Sequence, residues 1–148
     1  MTYLPKFITV AALSAAASLY AGGFWLQLGN PEASPEAKNK NAALVIQATG
    51  CHDPAKATVS GTVIRYVDRR MQATPVKIVP MKQPGTFAVV RDWPADATVT
   101  LELIGHNEEM TTSVLVRAQG ERVERTAAKF YPRVPTEAEK LEIASVVR

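Results

Sequence analysis

Apolar and polar positions alternate through most of this chain, and turn residues cut the alternation into short pieces. The clearest stretch is 74–106. Three apolar runs there are separated by Pro84-Gly85 and by Trp93-Pro94-Ala95-Asp96, which leaves no room for a helix of useful length. Consecutive antiparallel strands are the reading. A first strand is expected over 43–49 and a second over Thr58–Val67. In the second, Val59, Val63 and Val67 share one face while Thr58, Ser60 and Thr62 share the other. Asp68-Arg69-Arg70 reads as a hairpin turn. Residues 71–80 read as a third strand, placed at a sheet edge because Pro75 and Pro80 lack backbone N–H groups. The fourth covers 85–93, with Phe87, Val89 and Trp93 facing one way. The fifth covers 98–104, with Val99, Leu101 and Leu103 inward and Thr98, Thr100 and Glu102 outward; a sixth covers 112–117. Residues 122–131 fit either a seventh strand or a short helix, since Val123, Ala127 and Phe130 are also helically spaced. Thr136 and Glu139 form a capping-box pattern that predicts a short helix over 137–147.

Strands at this spacing predict an all-β chain, a six- to seven-stranded immunoglobulin-like β-sandwich with a short C-terminal helix. A small open barrel is the alternative. The expected core is Val59, Val63, Phe87, Val89, Val99, Leu101, Leu103, Val114 and Val116.

The N-terminal pattern differs in kind. Lys6 precedes an alanine-rich apolar run over 7–21, and small residues follow at Ala21-Gly22-Gly23. That is the layout of a secretory signal peptide. Apolar character resumes at Phe24-Trp25-Leu26-Gln27-Leu28, so 7–28 is also long enough for one membrane-spanning helix. A buried helix of the domain is the third reading. The expected organisation is a hydrophobic export helix, signal or anchor, over 1–28, a linker over 29–41, the sandwich over 42–131 and a tail over 132–148. The expected location is exported: periplasmic, extracellular or membrane-anchored. No cysteine follows the apolar run, which excludes lipid attachment there.

Composition alters this picture little. The 148 residues carry a net charge of +3, and basic and acidic residues alternate, as in Arg117, Glu121, Arg122, Glu124 and Arg125. A nucleic-acid binder concentrates its cations into a patch, so no nucleic-acid partner is expected. Cys51 is the only cysteine, so no disulfide can form within the chain and the core must stabilise it.

Pro75-Val76, Pro84-Gly85-Thr86-Phe87-Ala88-Val89, Trp93-Pro94 and Val99-Thr100-Leu101-Glu102-Leu103 together resemble the strand–turn–strand run of exported immunoglobulin-like bacterial modules, the YtkA-like and FixH-like domains among them. Some modules of that kind are linked to copper handling or respiratory assembly. The resemblance implies the sandwich. The Met-rich or His-rich set of a copper module is not matched, since Met71, Met81 and Met110 are scattered.

No hydrolase elbow, zinc-protease helix, phosphate loop or dinucleotide fingerprint occurs. One spatial argument remains. If the strands run up and down, the loops 50–55, 81–85 and 105–109 share one end. That end holds Cys51, His52, Asp53, Met81, His106, Asn107, Glu108 and Glu109. Thiolate and imidazole suit copper or zinc. Cys51, His52 and His106 are therefore the candidate metal ligands, with Met81 or Glu108 available for a fourth position. Against this, Asp53-Pro54 is an ordinary turn starter, His106-Asn107-Glu108 an ordinary polar hairpin loop, and Cys51 a small apolar filler. Trp93, at the opposite end, either plugs the sandwich or stands out as a stacking platform. The sequence thus predicts a non-enzymatic exported or membrane-tethered interaction module for another envelope or extracellular protein. It touches a membrane only through the N-terminal segment, if that segment is uncleaved, and no cofactor is indicated. The alternative is a copper- or zinc-binding exported domain.

Overall fold

Asp68 and Arg69 adopt φ of 51° and 62°, the left-handed pair that a two-residue hairpin turn needs. They join β3 (Thr58–Val67) to β4 (Arg70–Pro75), as the turn pattern predicts. The computed structural model describes residues 23–146 and is mostly β. The remaining strands are β1 (Trp25–Gly29), β2 (Ala42–Thr49), β5 (Ile78–Pro80), β6 (Thr86–Val90), β7 (Thr98–Asn107), β8 (Met110–Gln119), β9 (Arg122–Val123) and β10 (Lys129–Tyr131). Among the described residues there are two α-helices, α1 (Pro35–Asn39) and α2 (Glu137–Ala144). All pairings are antiparallel. One sheet runs β1-β2-β6-β5 and the other β10-β8-β7-β3-β4, with β9 also on β8.

The two sheets share one core. Leu26, Leu44, Ile46 and Val89 from the first pack with Val63, Val99, Leu101, Leu103, Val114 and Val116 from the second. These are the inward positions of period-two strands. Register explains the match: Val63, Leu101 and Val116 stand opposite one another across β3, β7 and β8. Val59 and Phe87, expected inside, are half-buried against the cluster. Trp93 is buried, and its indole N–H donates to the Gly120 carbonyl at 2.8 Å, so it plugs the end of the sandwich.

The structure corrects the sequence reading in three places. First, the apolar stretch from Phe24 is not part of an export helix. β1 pairs with β2 from Trp25↔Thr49 to Gly29↔Val45, and Phe24 and Leu26 are buried in the core. Backbone pairing and a facing sheet give this run a better place than its apolar character suggests. Nor is 29–41 a bare linker: it holds α1, capped by the Ser34 hydroxyl, with Ala37 buried. The remainder of the proposed export segment, 1–22, lies outside the described residues.

Second, residues 71–80 are two strands. The chain leaves β3 after Pro75, and β5 pairs with β6 in the other sheet. At the crossing the Val76 N–H donates to Gly61 O at 3.1 Å, the Val90 N–H donates to Lys77 O at 2.9 Å, and the Val76 side chain fills the core. Both strands lie at sheet edges, where proline belongs.

Third, the outward face of the larger sheet is covered. Thr100 and Glu102 are only 2% and 6% exposed, and Ile64 and Leu115 beside them are also buried. The cover is α2, which lies against β3, β7 and β8 and contributes Ile143. Its capping box forms as predicted: Glu139 N–H donates to the Thr136 hydroxyl, and Thr136 N–H donates to the Glu139 carboxylate. The helix ends at Ala144, short of the predicted 147, which lies outside the described residues. Lys140 Nζ sits 2.9 Å from Glu102 Oε2 and 2.8 Å from Glu137. The Glu102 oxygen has no partner at hydrogen-bonding geometry, so charge attraction holds this contact. Burial works against the Lys140 ammonium, but Glu137 and Glu102 outweigh it and hold its pKa above the ordinary lysine value.

Residues 122–131, read as strand or helix, are neither alone. They form β9, a 3₁₀ turn at Arg125–Ala127, and β10.

Candidate functional site

The loops expected to converge at one end do so. Gly85 packs against Pro54, close enough that a Cβ would lie 2.8 Å from the Pro54 Cβ. The buried Asn107 amide donates to Asp53 O at 2.9 Å, which ties the β7–β8 hairpin to the loop after β2. Lys56 and Glu108 form an exposed pair at 3.5 Å. Asp53 caps the short 3₁₀ turn Pro54–Lys56 by accepting from the Ala55 N–H.

The candidate metal donors are not assembled there. Cys51 is half-buried and packs against the core cluster. His52 is exposed. His106 lies on the outer face of β7: its neighbours Gly105 and Asn107 are buried, and its ring Nδ1 meets the Thr111 hydroxyl at 3.0 Å across the hairpin. Met81 stands half-buried among Gln27, Gln47, Gln83 and Thr86 beside the smaller sheet, and Glu108 is exposed beside Lys56. Among the described residues, no group of three His, Cys, Asp or Glu is placed to hold a metal ion. The pleat gives the reason. Loops can meet while their side chains leave on different faces.

The opposite end holds a feature that sequence reading missed. An open groove of about 900 Å³ lies where β2 begins, β6 ends and β9 runs beside β8. Lys38, Arg91, Arg122 and Arg125 line it, with Glu32 and Glu121 as the only carboxylates among the described residues. Pro31, Ala42, Ala43 and Val123 supply apolar wall. Each cation comes from a different place. Lys38 lies in α1, Arg91 follows β6, Arg122 opens β9, and Arg125 begins the 3₁₀ turn. Asn41, in the left-handed region at φ 53°, ends the α1 turn and accepts from the Arg91 N–H. The two carboxylates are already engaged, Glu32 with Lys38 at 3.1 Å and Glu121 with Arg91 at 3.5 Å. Among the described residues Arg122 and Arg125 have no ion-pair partner.

A third region is the C-terminal edge. Phe130, Val134 and Leu141 are 41–46% exposed, and among the described residues β10 has a strand partner on one side only. Shifted titrations also gather here. A bidentate Arg133 hydrogen bond and the Thr136 N–H pull the Glu139 carboxyl down to about 2. Glu142 raises Lys129 through a 3.0 Å hydrogen bond. Burial, then Glu139, raises Tyr131.

No family model matches the chain, and neither a curated protein nor a solved structure matches it.

Proposed function

We propose that this chain is a non-enzymatic, exported or membrane-tethered immunoglobulin-like sandwich that serves as an interaction module for another envelope or extracellular protein. The observation that carries the reading is the C-terminal edge. Phe130, Val134 and Leu141 stay exposed beside a strand that, among the described residues, has a strand partner on one side only. Exposed apolar residues next to a free edge suit strand addition by a partner. The immunoglobulin-like kind is supported by strand order. β1-β2-β6-β5 opposite β8-β7-β3-β4 follows the A-B-E-D and G-F-C order of that fold, with β4 as an added edge strand. Export is supported by the charged, apolar and small-residue layout of 1–23. In this reading the mature domain begins just before β1.

The test is capture from the native envelope with the full chain as bait, beside Phe130→Asp/Leu141→Asp. The wild type is expected to retain a specific protein that the double variant, still folded by circular dichroism, loses. Retention of nothing beyond an unrelated sandwich control, or equal capture by both baits, would defeat the reading.

A further inference from the structure

We infer that the groove between α1, the end of β6 and β9 binds an acidic peptide segment, one that alternates carboxylate and small apolar side chains. The inference rests on the interaction-module reading and assigns it a second contact and a ligand class.

Charge comes first. Four cations and two carboxylates line the groove, which leaves two positive charges. Both native carboxylates sit in exposed pairs: the Glu121 side chain is 84% exposed and that of Glu32 is 73% exposed. Such pairs contribute little and exchange readily with an incoming carboxylate. Arg122 and Arg125 are three residues apart on one short segment, both exposed, and they face the groove without a counter-ion among the described residues. Guanidinium forks match carboxylate geometry with two parallel hydrogen bonds.

The walls decide the class. Pro31, Ala42, Ala43 and Val123 line the groove together with the cations. A bare inorganic anion leaves those apolar surfaces without a partner. Nucleic acid needs a longer cationic track and aromatic faces for stacking, and among the described residues no aromatic side chain lines this groove. A peptide with Glu or Asp separated by Ala or Val supplies both kinds of contact.

The groove also has a firm base. β2 and β6 pair through Ala42↔Val90, with a register shift between Ala42 and Leu44, and Asn41 O accepts from the Arg91 N–H. Arg91 is the least exposed of the ion-paired groove cations, with 28% of its side chain accessible. Lys38, Arg122 and Arg125 are exposed and can close on a ligand from the surface.

The experiment uses the full chain in neutral detergent and a fluorescein-labelled peptide alternating Glu and Val, read by fluorescence anisotropy. The wild type is expected to bind it, and binding is expected to weaken as salt rises. Arg122→Gln/Arg125→Gln is expected to weaken binding about tenfold or more. Arg65→Gln/Lys82→Gln, which removes the same charge from exposed sites outside the groove, is expected to leave it within about twofold. The Gln–Val peptide is expected not to bind. Pyrophosphate and a single-stranded oligonucleotide are expected to compete only weakly. The inference is overturned if the wild type does not bind the Glu–Val peptide, if the groove variant binds it as well as the wild type, or if the oligonucleotide competes better than unlabelled peptide. Envelope capture separates the two claims. If Phe130→Asp/Leu141→Asp loses the captured protein while the groove variant fails to change peptide binding, the interaction module stands and the groove inference falls.

Discussion

Leu26→Ala separates a strand of the sandwich from a piece of an export helix. Leu26 has no exposed surface, and it points from β1 across the core to β7. A Cβ on Gly105 would lie 2.8 Å from the Leu26 Cδ2, so the facing backbone is already in contact and β7 has no side chain there to move into a vacancy. The substitution removes three carbons, worth about 0.8 kcal/mol each in transfer terms, or about 2.4 kcal/mol. A cavity term adds to this where the surroundings cannot collapse, which places the expected loss in the upper part of the roughly 2–5 kcal/mol range for buried leucines. A domain with about 5–15 kcal/mol of total stability would feel that plainly. Trp25→Ala is the internal control. Trp25 is 43% exposed on the outer side of the same strand, and its loss is expected to cost well under half as much. Urea unfolding of the full chain in neutral detergent, followed by far-ultraviolet circular dichroism, measures both. If Leu26→Ala unfolds within about 0.5 kcal/mol of the wild type, the ordinary surface range, β1 is not part of the cooperative fold.

Glu102→Gln, under α2, is expected to cost about 1–3 kcal/mol by urea unfolding, between the buried and exposed ion-pair ranges, because Lys140 keeps Glu137 and some access to water; no loss would mean that α2 is not held through this contact. The Glu139 carboxyl, lowered from 4.5 to about 2 by Arg133 and the Thr136 N–H, stabilises the folded edge fully above pH 4.5 and loses that contribution as pH falls to about 2; a carboxyl titration by NMR should show the low value in the wild type and a rise toward 4.5 in Arg133→Ala. Trp93→Phe leaves the Gly120 carbonyl without its 2.8 Å donor at the buried end and is expected to cost about 1–3 kcal/mol by urea unfolding; a neutral result would put the indole N–H in water rather than on Gly120.

Much of the fold was legible in the chain because alternation and turn chemistry are local. The bounds Thr58–Val67, the left-handed Asp68-Arg69 turn, the inward row Val63, Leu101 and Val116, and the Thr136/Glu139 capping box all follow from neighbours a few residues apart. What required tertiary structure was decided by distant partners. Phe24–Leu28 is apolar throughout, and only the presence of β2 beside it and β7 across from it makes it a strand instead of a membrane or export segment. Thr100 and Glu102 have the pattern of a solvated face until α2 folds over them. Residues 71–80 cross between sheets because β6 offers a free edge to β5. The candidate metal site was half legible: turn order brought the three loops together, but the directions of Cys51 and His106 were set by core packing and pleat. The cationic groove was not legible at all. Arg91, Arg122, Arg125 and Lys38 alternate with acids along the sequence, and only the meeting of α1, β6 and β9 at one end of the sandwich gathers them, since charge patches are made by topology and not by adjacency in the chain.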